Sequence, residues 1–343
     1  MSININQETI LLELEKAYEN VNQKCIDQAK YYFETDSFIF NELNTLHKEG
    51  KRRRGLLTLN ATEAYQAEVD ERTYTLAALV EFTHLALLIH DDVMDKSPIR
   101  RNTLSAPGRF TAIVDGRGVC DSEHQGNALA LGLGDLMFFF IFQEIFSLHY
   151  ESNSQHNLTE LFSRTLYYTA RGQMFDTIAG ECPIKKDDII KLYEMKTGYY
   201  SFFLPLAIGA HLGEADSDEF EILEFLSKHL GILLQIKDDL NGLHNDEKDL
   251  TRDISQNKAM LWRWYLESSV PKSEKRNLKT VFGAPVLFHD DIAYIQNLCE
   301  QYRINKKLEE DITTYTKEAH NLIRYLNIPK NHKKKIHEFI NEL

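Results

Sequence analysis

Two segments of this chain are apolar almost all the way round a helix, and both run without a break into paired aspartates. Residues 76–90 read LAALVEFTHLALLIH and lead into DDVMD; residues 222–236 read ILEFLSKHLGILLQI and lead through Lys237 into DDLNG. A helix with no polar face belongs in the middle of a bundle of other helices. A protein interior excludes carboxylates unless they are paired or hold a metal, because desolvating an ion is costly. The fold must therefore bury both helices and bring the acidic end of each to a place where its charge is compensated.

The rest of the chain supplies the surrounding helices. Apolar residues recur at helical spacing almost throughout, and alternating β-branched runs are scarce. The periodicity predicts helices over about 7–31, 36–48, 52–67, 71–96, 126–150, 157–179, 186–212, 217–241, 258–267, 274–283, 289–301, 305–325 and 331–342, an all-α protein. Ser97-Pro98 closes the fourth of these, since the residue before a proline avoids helical backbone. The stretch from Arg100 to Gln125 reads as the longest loop, and a loop that long is usually functional. With no repeat, low-complexity tract or composition shift to mark a linker, residues 1–343 are expected to form one helical domain.

A formal charge of -13 makes the chain poorly suited to wrapping a polyanion, so nucleic acid is not an expected partner. Cys25, Cys120, Cys182 and Cys299 lie far apart without metal-ligand spacing, which fits a reducing cytoplasm. No run of about 18 uncharged apolar residues occurs, so no transmembrane segment is expected.

In DDVMD, Asp91 and Asp95 are four apart and share a helix face, with Asp92 beside them. Asp238 and Asp239 take the corresponding place on the second helix, with Asp246 just beyond. If the two helices face each other, their carboxylates line one mouth. Hard oxygen ligands of this kind suit Mg²⁺, which keeps several waters and binds through a few carboxylates plus substrate phosphates. Solvated helix ends with acids scattered by composition are the bland alternative, and the basic residues weigh against it. HKEGKRRRG places Lys51, Arg52, Arg53 and Arg54 at a helix start, where free backbone N–H groups already favour anions. Arg100 and Arg101 follow the first acidic cluster, Lys196 sits in YEMKTGYY, and Lys258 follows the second. Guanidinium and ammonium groups are what hold phosphate oxygens.

The succession GKRRRG, HLALLIHDDVMD followed by RR, ALGLGD, GQMFD, KTGYY, QIKDD and NKAML resembles the trans-isoprenyl diphosphate synthases, or polyprenyl synthetases, from about residue 48 to 262. The resemblance implies an isoprenoid synthase fold, a single large helical bundle around a deep central cavity, forming a homodimer. By match to the family's motifs, Asp91, Asp92 and Asp95 form the first metal-binding motif and Asp238 and Asp239 the second. Together with Asp176 they would bind about three Mg²⁺ ions, which with Arg100, Lys196 and Lys258 hold an allylic prenyl diphosphate. Lys51, Arg54, His84 and Arg101 resemble the site for the diphosphate of isopentenyl diphosphate. Gln173 belongs with Asp176 to the GQxxD match, Thr197 to the K-T pair and Gln235 to Q-x-x-D-D.

The implied reaction is a prenyl transfer. The allylic diphosphate ionises, the double bond of isopentenyl diphosphate attacks the cation, and proton loss restores an alkene. In the family an aromatic side chain five residues before the first aspartate stops chain growth. Here that position is Ala86, with Leu87 and Thr83 beside it, about 7.5, 6 and 12 Å along the helix from Asp91. The expected product is geranylgeranyl diphosphate or somewhat longer. Departures from the pattern are Gly242, where the second motif usually has an aspartate, and Asn257 and Met260 around Lys258. They keep a non-catalytic or regulatory partner subunit open as an alternative. A terpene cyclase, which needs no second diphosphate site, is opposed by Lys51, Arg54, His84 and Arg101.

Overall fold

The computed structural model describes residues 5–29, 37–48, 50–100, 103–181, 185–245 and 247–343. The elements in order are α1 (Ile5–Ala29), α2 (Ser37–Leu46), α3 (Arg53–Ala64), α4 (Glu71–Met94), β1 (Ile99–Arg100), β2 (Thr103–Leu104), α5 (Ala106–Asp115), α6 (Ser122–Ser147) and α7 (Ser152–Ile178). After α8 (Lys186–Tyr193) a π-helical stretch, Glu194–Phe203, leads into α9 (Leu204–Leu212). Then follow α10 (Ser217–Asn245), α11 (Glu247–Ser255), α12 (Leu261–Ser269), α13 (Lys272–Val281), α14 (His289–Gln301), α15 (Ile304–Leu322) and α16 (Lys330–Glu342). The all-α expectation holds. The β1–β2 hairpin, with Ile99 opposite Leu104, is the one sheet among the described residues.

The chain divides into two compact units, Met1–Ser163 with Leu204–Ala215, and Arg164–Phe203 with Asp216–Leu343. In the first, α4 packs against α1, α3, α6 and α9. Leu76, Ala77, Leu79 and Phe82 are wholly buried, as an apolar helix requires. Phe82 meets Tyr18 of α1 and Phe140 of α6 edge to face. The carboxylate of Asp70 caps α4 by accepting from the Thr73 N–H at 2.9 Å. The helix stops at Met94, just before Lys96 in left-handed backbone and the Ser97-Pro98 pair. In the second unit, α10 packs against the π-helical stretch and α15. Ile236, Ile254, Trp262, Leu266 and Ile295 belong to a core in which α8, α10, α11, α12 and α14 meet.

Two expectations need correction. Residues 100–125 are not a long loop: they hold the hairpin, α5 and the start of α6. Ser105 caps α5 by accepting from the Gly108 N–H, and Pro107 sits in the first turn. Gly108 is required there because a Cβ would stand 2.2 Å from the Pro98 carbonyl oxygen. Second, α11 was not anticipated, and α12 begins at Leu261, so Lys258 precedes it rather than lying within a helix. By length and composition alone, α4 and α6 are long and apolar enough to cross a membrane, a test that buried core helices also pass. The apolar window of α4 is 61% buried within the molecule, and the corresponding window of α6 44%.

Candidate active site

A cavity of about 600 Å³ in the first unit gathers Lys51, Arg54, His84, Asp92 and Arg100. It owes its wall to α4. Glu81, His84, Leu85, Leu88 and Asp92 recur at three- and four-residue spacing and so form one stripe of that helix, which lines the cavity. The turn entering α3 supplies Lys51 and Arg54, and the hairpin supplies Arg100. Cations and apolar side chains thus share one chamber, the combination that an amphiphilic anion needs.

At its acidic end, one guanidinium serves two carboxylates. Arg100 donates from Nε to Asp92 at 2.8 Å and from Nη2 to Asp91 at 3.0 Å. The pairing with Thr103 across the hairpin fixes the backbone of Arg100. Burial pushes the Asp92 carboxyl up to about 6; Arg100 opposes that rise, and Asp91 and Asp95 add to it. Three carboxylates gathered at one helix end are hard oxygen donors, and a divalent cation fits that donor set. Among the described residues no three His, Cys, Asp or Glu side chains converge on one ion position. An ion here would therefore draw further oxygens from water or phosphate, as Mg²⁺ usually does. Arg101 and Asp246 lie outside the described residues.

The positions expected to set product length are placed elsewhere. At 100° per residue, Thr83, Ala86 and Leu87 fall on the side of α4 opposite the cavity stripe. Thr83 and Ala86 are buried, and Thr83 donates its hydroxyl to the Leu79 carbonyl at 2.8 Å.

In the second unit, opposite charges are paired in place. Lys196 and Lys258 both donate to Oδ2 of buried Asp176, at 2.7 and 2.8 Å. Burial would raise the Asp176 carboxyl, but the two ammonium groups hold it below the usual carboxylate range. Lys196 stands in the widened π-helical turn, a distortion common at functional sites. Next to it, Thr197 donates to Oε1 of Gln235 at 2.9 Å. Gln173 is half-buried one turn before Asp176 on α7, and its carbonyl accepts from Thr177. Asp238 is exposed near the end of α10. Burial pushes the carboxyl of its neighbour Asp239 far up, although Tyr193 donates a short hydrogen bond to it. The same tyrosine oxygen accepts from the Leu261 N–H at 3.0 Å, tying α8, α10 and α12 together.

Sequence reasoning missed three residues that organise these clusters: Tyr193, Glu81 and the inward role of Arg52. The carboxylate of Glu81 is buried and accepts from the Gly55 N–H at 2.8 Å. A glutamate inside an otherwise apolar stretch, 76–90, was the available signal for it. Nothing in the spacing around Tyr193 distinguishes it from ordinary core.

A sequence model described as polyprenyl synthetase matches residues 39–298. The chain is 26% identical over 270 residues to a short chain isoprenyl diphosphate synthase of Methanocaldococcus jannaschii, covering 77% of each. It is 25% identical over 275 residues to a geranylgeranyl diphosphate synthase of Sulfolobus acidocaldarius, covering 75% of this chain and 78% of that one. Its fold matches that of a geranylgeranyl pyrophosphate synthase from Corynebacterium glutamicum, solved with isoprenyl diphosphate and magnesium. The TM-score is 0.84 at 19% identity, over 96% of this chain and 97% of that one.

Proposed function

The chain belongs to the polyprenyl synthetase family, and on that premise we propose that it is a Mg²⁺-dependent trans-prenyltransferase joining isopentenyl diphosphate to an allylic diphosphate. The observation that carries this reading is the cavity that sets Lys51, Arg54 and His84 beside Asp92 and Arg100 on an apolar wall. Lys51, Arg54 and His84 hold the diphosphate of isopentenyl diphosphate, leaving its alkene against Leu85, Leu88 and Ile89. That wall excludes water, which would otherwise quench an allylic cation. Arg100 orients Asp91 and Asp92 and adds positive charge where the leaving diphosphate develops negative charge. Bound Mg²⁺, on Asp91, Asp92 and Asp95, would supply Lewis-acid stabilisation of that leaving group. Asp238, Asp239, Asp176, Lys196 and Lys258 take the corresponding metal and allylic-diphosphate roles by their match to the family's motifs, with Thr197, Gln173 and Gln235 as polar support.

A product of twenty carbons or more is read from the match to the family's motif, in which Ala86 takes the place of an aromatic residue, with Leu87 and Thr83 beside it on the side of α4 away from the cavity described above. The exposed Leu131, Phe139 and Phe146 of α6 fit pairing with a second copy, a homodimer. The unpaired Cys25, Cys120 and Cys299 fit a reducing cytoplasm.

The test is to incubate purified protein with Mg²⁺, labelled isopentenyl diphosphate and allylic primers of several lengths, and to size the products. Label in chains of twenty carbons or more is expected. Absence of label from any longer chain would sink the synthase reading, and an unchanged length distribution in Ala86→Phe would remove Ala86 from length control.

A further inference from the structure

Four consecutive basic residues enter α3, and they do not behave alike. Lys51 and Arg53 are exposed and Arg54 half-buried, whereas the Arg52 side chain is only 4% exposed. Its guanidinium donates from Nη2 to the His47 carbonyl at 2.6 Å and from Nε to Glu15 of α1 at 3.1 Å. It also lies over the Tyr18 ring, 4.1 Å from the centroid. Its backbone is left-handed, φ 50°, ψ 33°, a conformation disfavoured for any side chain. One residue turned against the backbone preference, lining the cavity but with Nε and Nη2 of its planar fork held by α1 and by the turn after α2, is built as an anchor. Three residues further on, Glu81 of α4 holds the Gly55 N–H. The turn that carries Lys51 and Arg54 into the cavity is therefore pinned at both ends.

We infer that Arg52 is a positioning residue: it clamps the Lys51–Arg54 turn onto α1 and α2 so that Lys51 and Arg54 face the diphosphate, and is not itself a ligand of that diphosphate. This rests on the reading that the cavity takes isopentenyl diphosphate. A ligand of the diphosphate would need nothing from Glu15, whereas a clamp depends on it. A clamp needs the planar fork, which lysine lacks.

Steady-state kinetics of Arg52→Gln, Arg52→Lys and Glu15→Gln separate the two roles. Glu15 does not line the cavity, whereas Arg52, to which it is hydrogen-bonded, does, so the double variant with Arg52 tests whether its effect passes through that residue. Arg52→Gln is expected to raise KM for isopentenyl diphosphate about tenfold, with kcat and the allylic KM within about twofold of wild type. Arg52→Lys should not restore it. Glu15→Gln should raise the same KM about two- to threefold, and the double variant should be no worse than Arg52→Gln alone. A wild-type KM in Arg52→Lys, an unchanged KM in Arg52→Gln, or additive effects of the two sites would each overturn the clamp. If the wild-type protein incorporates no isopentenyl diphosphate, the functional reading fails by itself. The clamp is then decided by hydrogen exchange: Arg52→Gln should speed exchange over residues 50–56 about tenfold or more, and unchanged exchange would overturn it.

Discussion

The two charged clusters use the same residue types to opposite ends. In the first unit, Lys51, Arg54, His84 and Arg100 line a cavity, and Arg100 pairs there with Asp91 and Asp92. In the second, Asp176 absorbs two lysines and Asp239 is satisfied by a tyrosine. The first arrangement sets its cations on the wall of a cavity. The second stores its charge in pairs that a ligand must displace or join. A buried pair contributes little net stability but is costly to break from one side, so the two clusters should respond to truncation in different measurable quantities: stability in the second, substrate affinity in the first.

The largest effect is expected where two cations depend on one carboxylate. Asp176→Asn removes the carboxylate that Lys196 and Lys258 share, in a site where the Lys258 side chain is 10% exposed. A loss of about 3 kcal/mol of unfolding free energy is expected in urea denaturation. Lys258→Met leaves Asp176 still paired with Lys196 and should cost less. Equal losses would mean that the cluster is not organised around the carboxylate.

Truncation in the first unit should spare stability. Lys51→Ala removes an exposed ammonium for which the fold has no need, so its melting temperature should stay near wild type while KM for isopentenyl diphosphate rises about tenfold or more. A drop in melting temperature comparable to that of Asp176→Asn would erase the contrast between the clusters. Between these extremes lies Tyr193→Phe, which removes one hydroxyl that serves both Asp239 and the Leu261 N–H. Leaving two buried polar groups without it should cost about 1–3 kcal/mol, read by thermal or urea denaturation.

Much of this was legible in the sequence because it is written in period and charge. The all-round apolar stretch 76–90 marks α4 as central, and DDVMD, the basic run and Arg100 announce the polar end of one chamber. What was not legible depends on contacts between segments distant in the chain. The helix at 106–115 was hidden by Gly108 and Gly116, which read as loop residues; Gly108 is in fact demanded by the Pro98 carbonyl. The α11 helix carries only Leu250 and Ile254 as buried apolar residues, too short a stripe to stand out. Arg52 looks like its neighbours until Glu15, Tyr18 and His47 are placed around it. Tyr193 acquires its role only when α10 and α12 present a carboxylate and an N–H to the same oxygen.

The smallest expected effect concerns the one position where the second aspartate motif departs from its family pattern. Gly242 lies within α10, and a Cβ built there meets nothing within 4 Å. Its lack of a side chain is therefore not a packing requirement, and Gly242→Ala should stabilise the protein by about 0.5–1 kcal/mol through helix propensity alone. Gly242→Asp should gain less, because its new carboxylate stands one turn beyond Asp238, and like charges at that spacing cost about 0.2–0.5 kcal/mol. Mg²⁺ reverses the order if this turn binds the ion. A ligand that binds the folded state raises its melting temperature, so the aspartate variant should gain more from added Mg²⁺ than either wild type or the alanine variant. An equal Mg²⁺-dependent rise in all three proteins would place residue 242 outside the ion's reach and reduce Gly242 to a weak point in the helix.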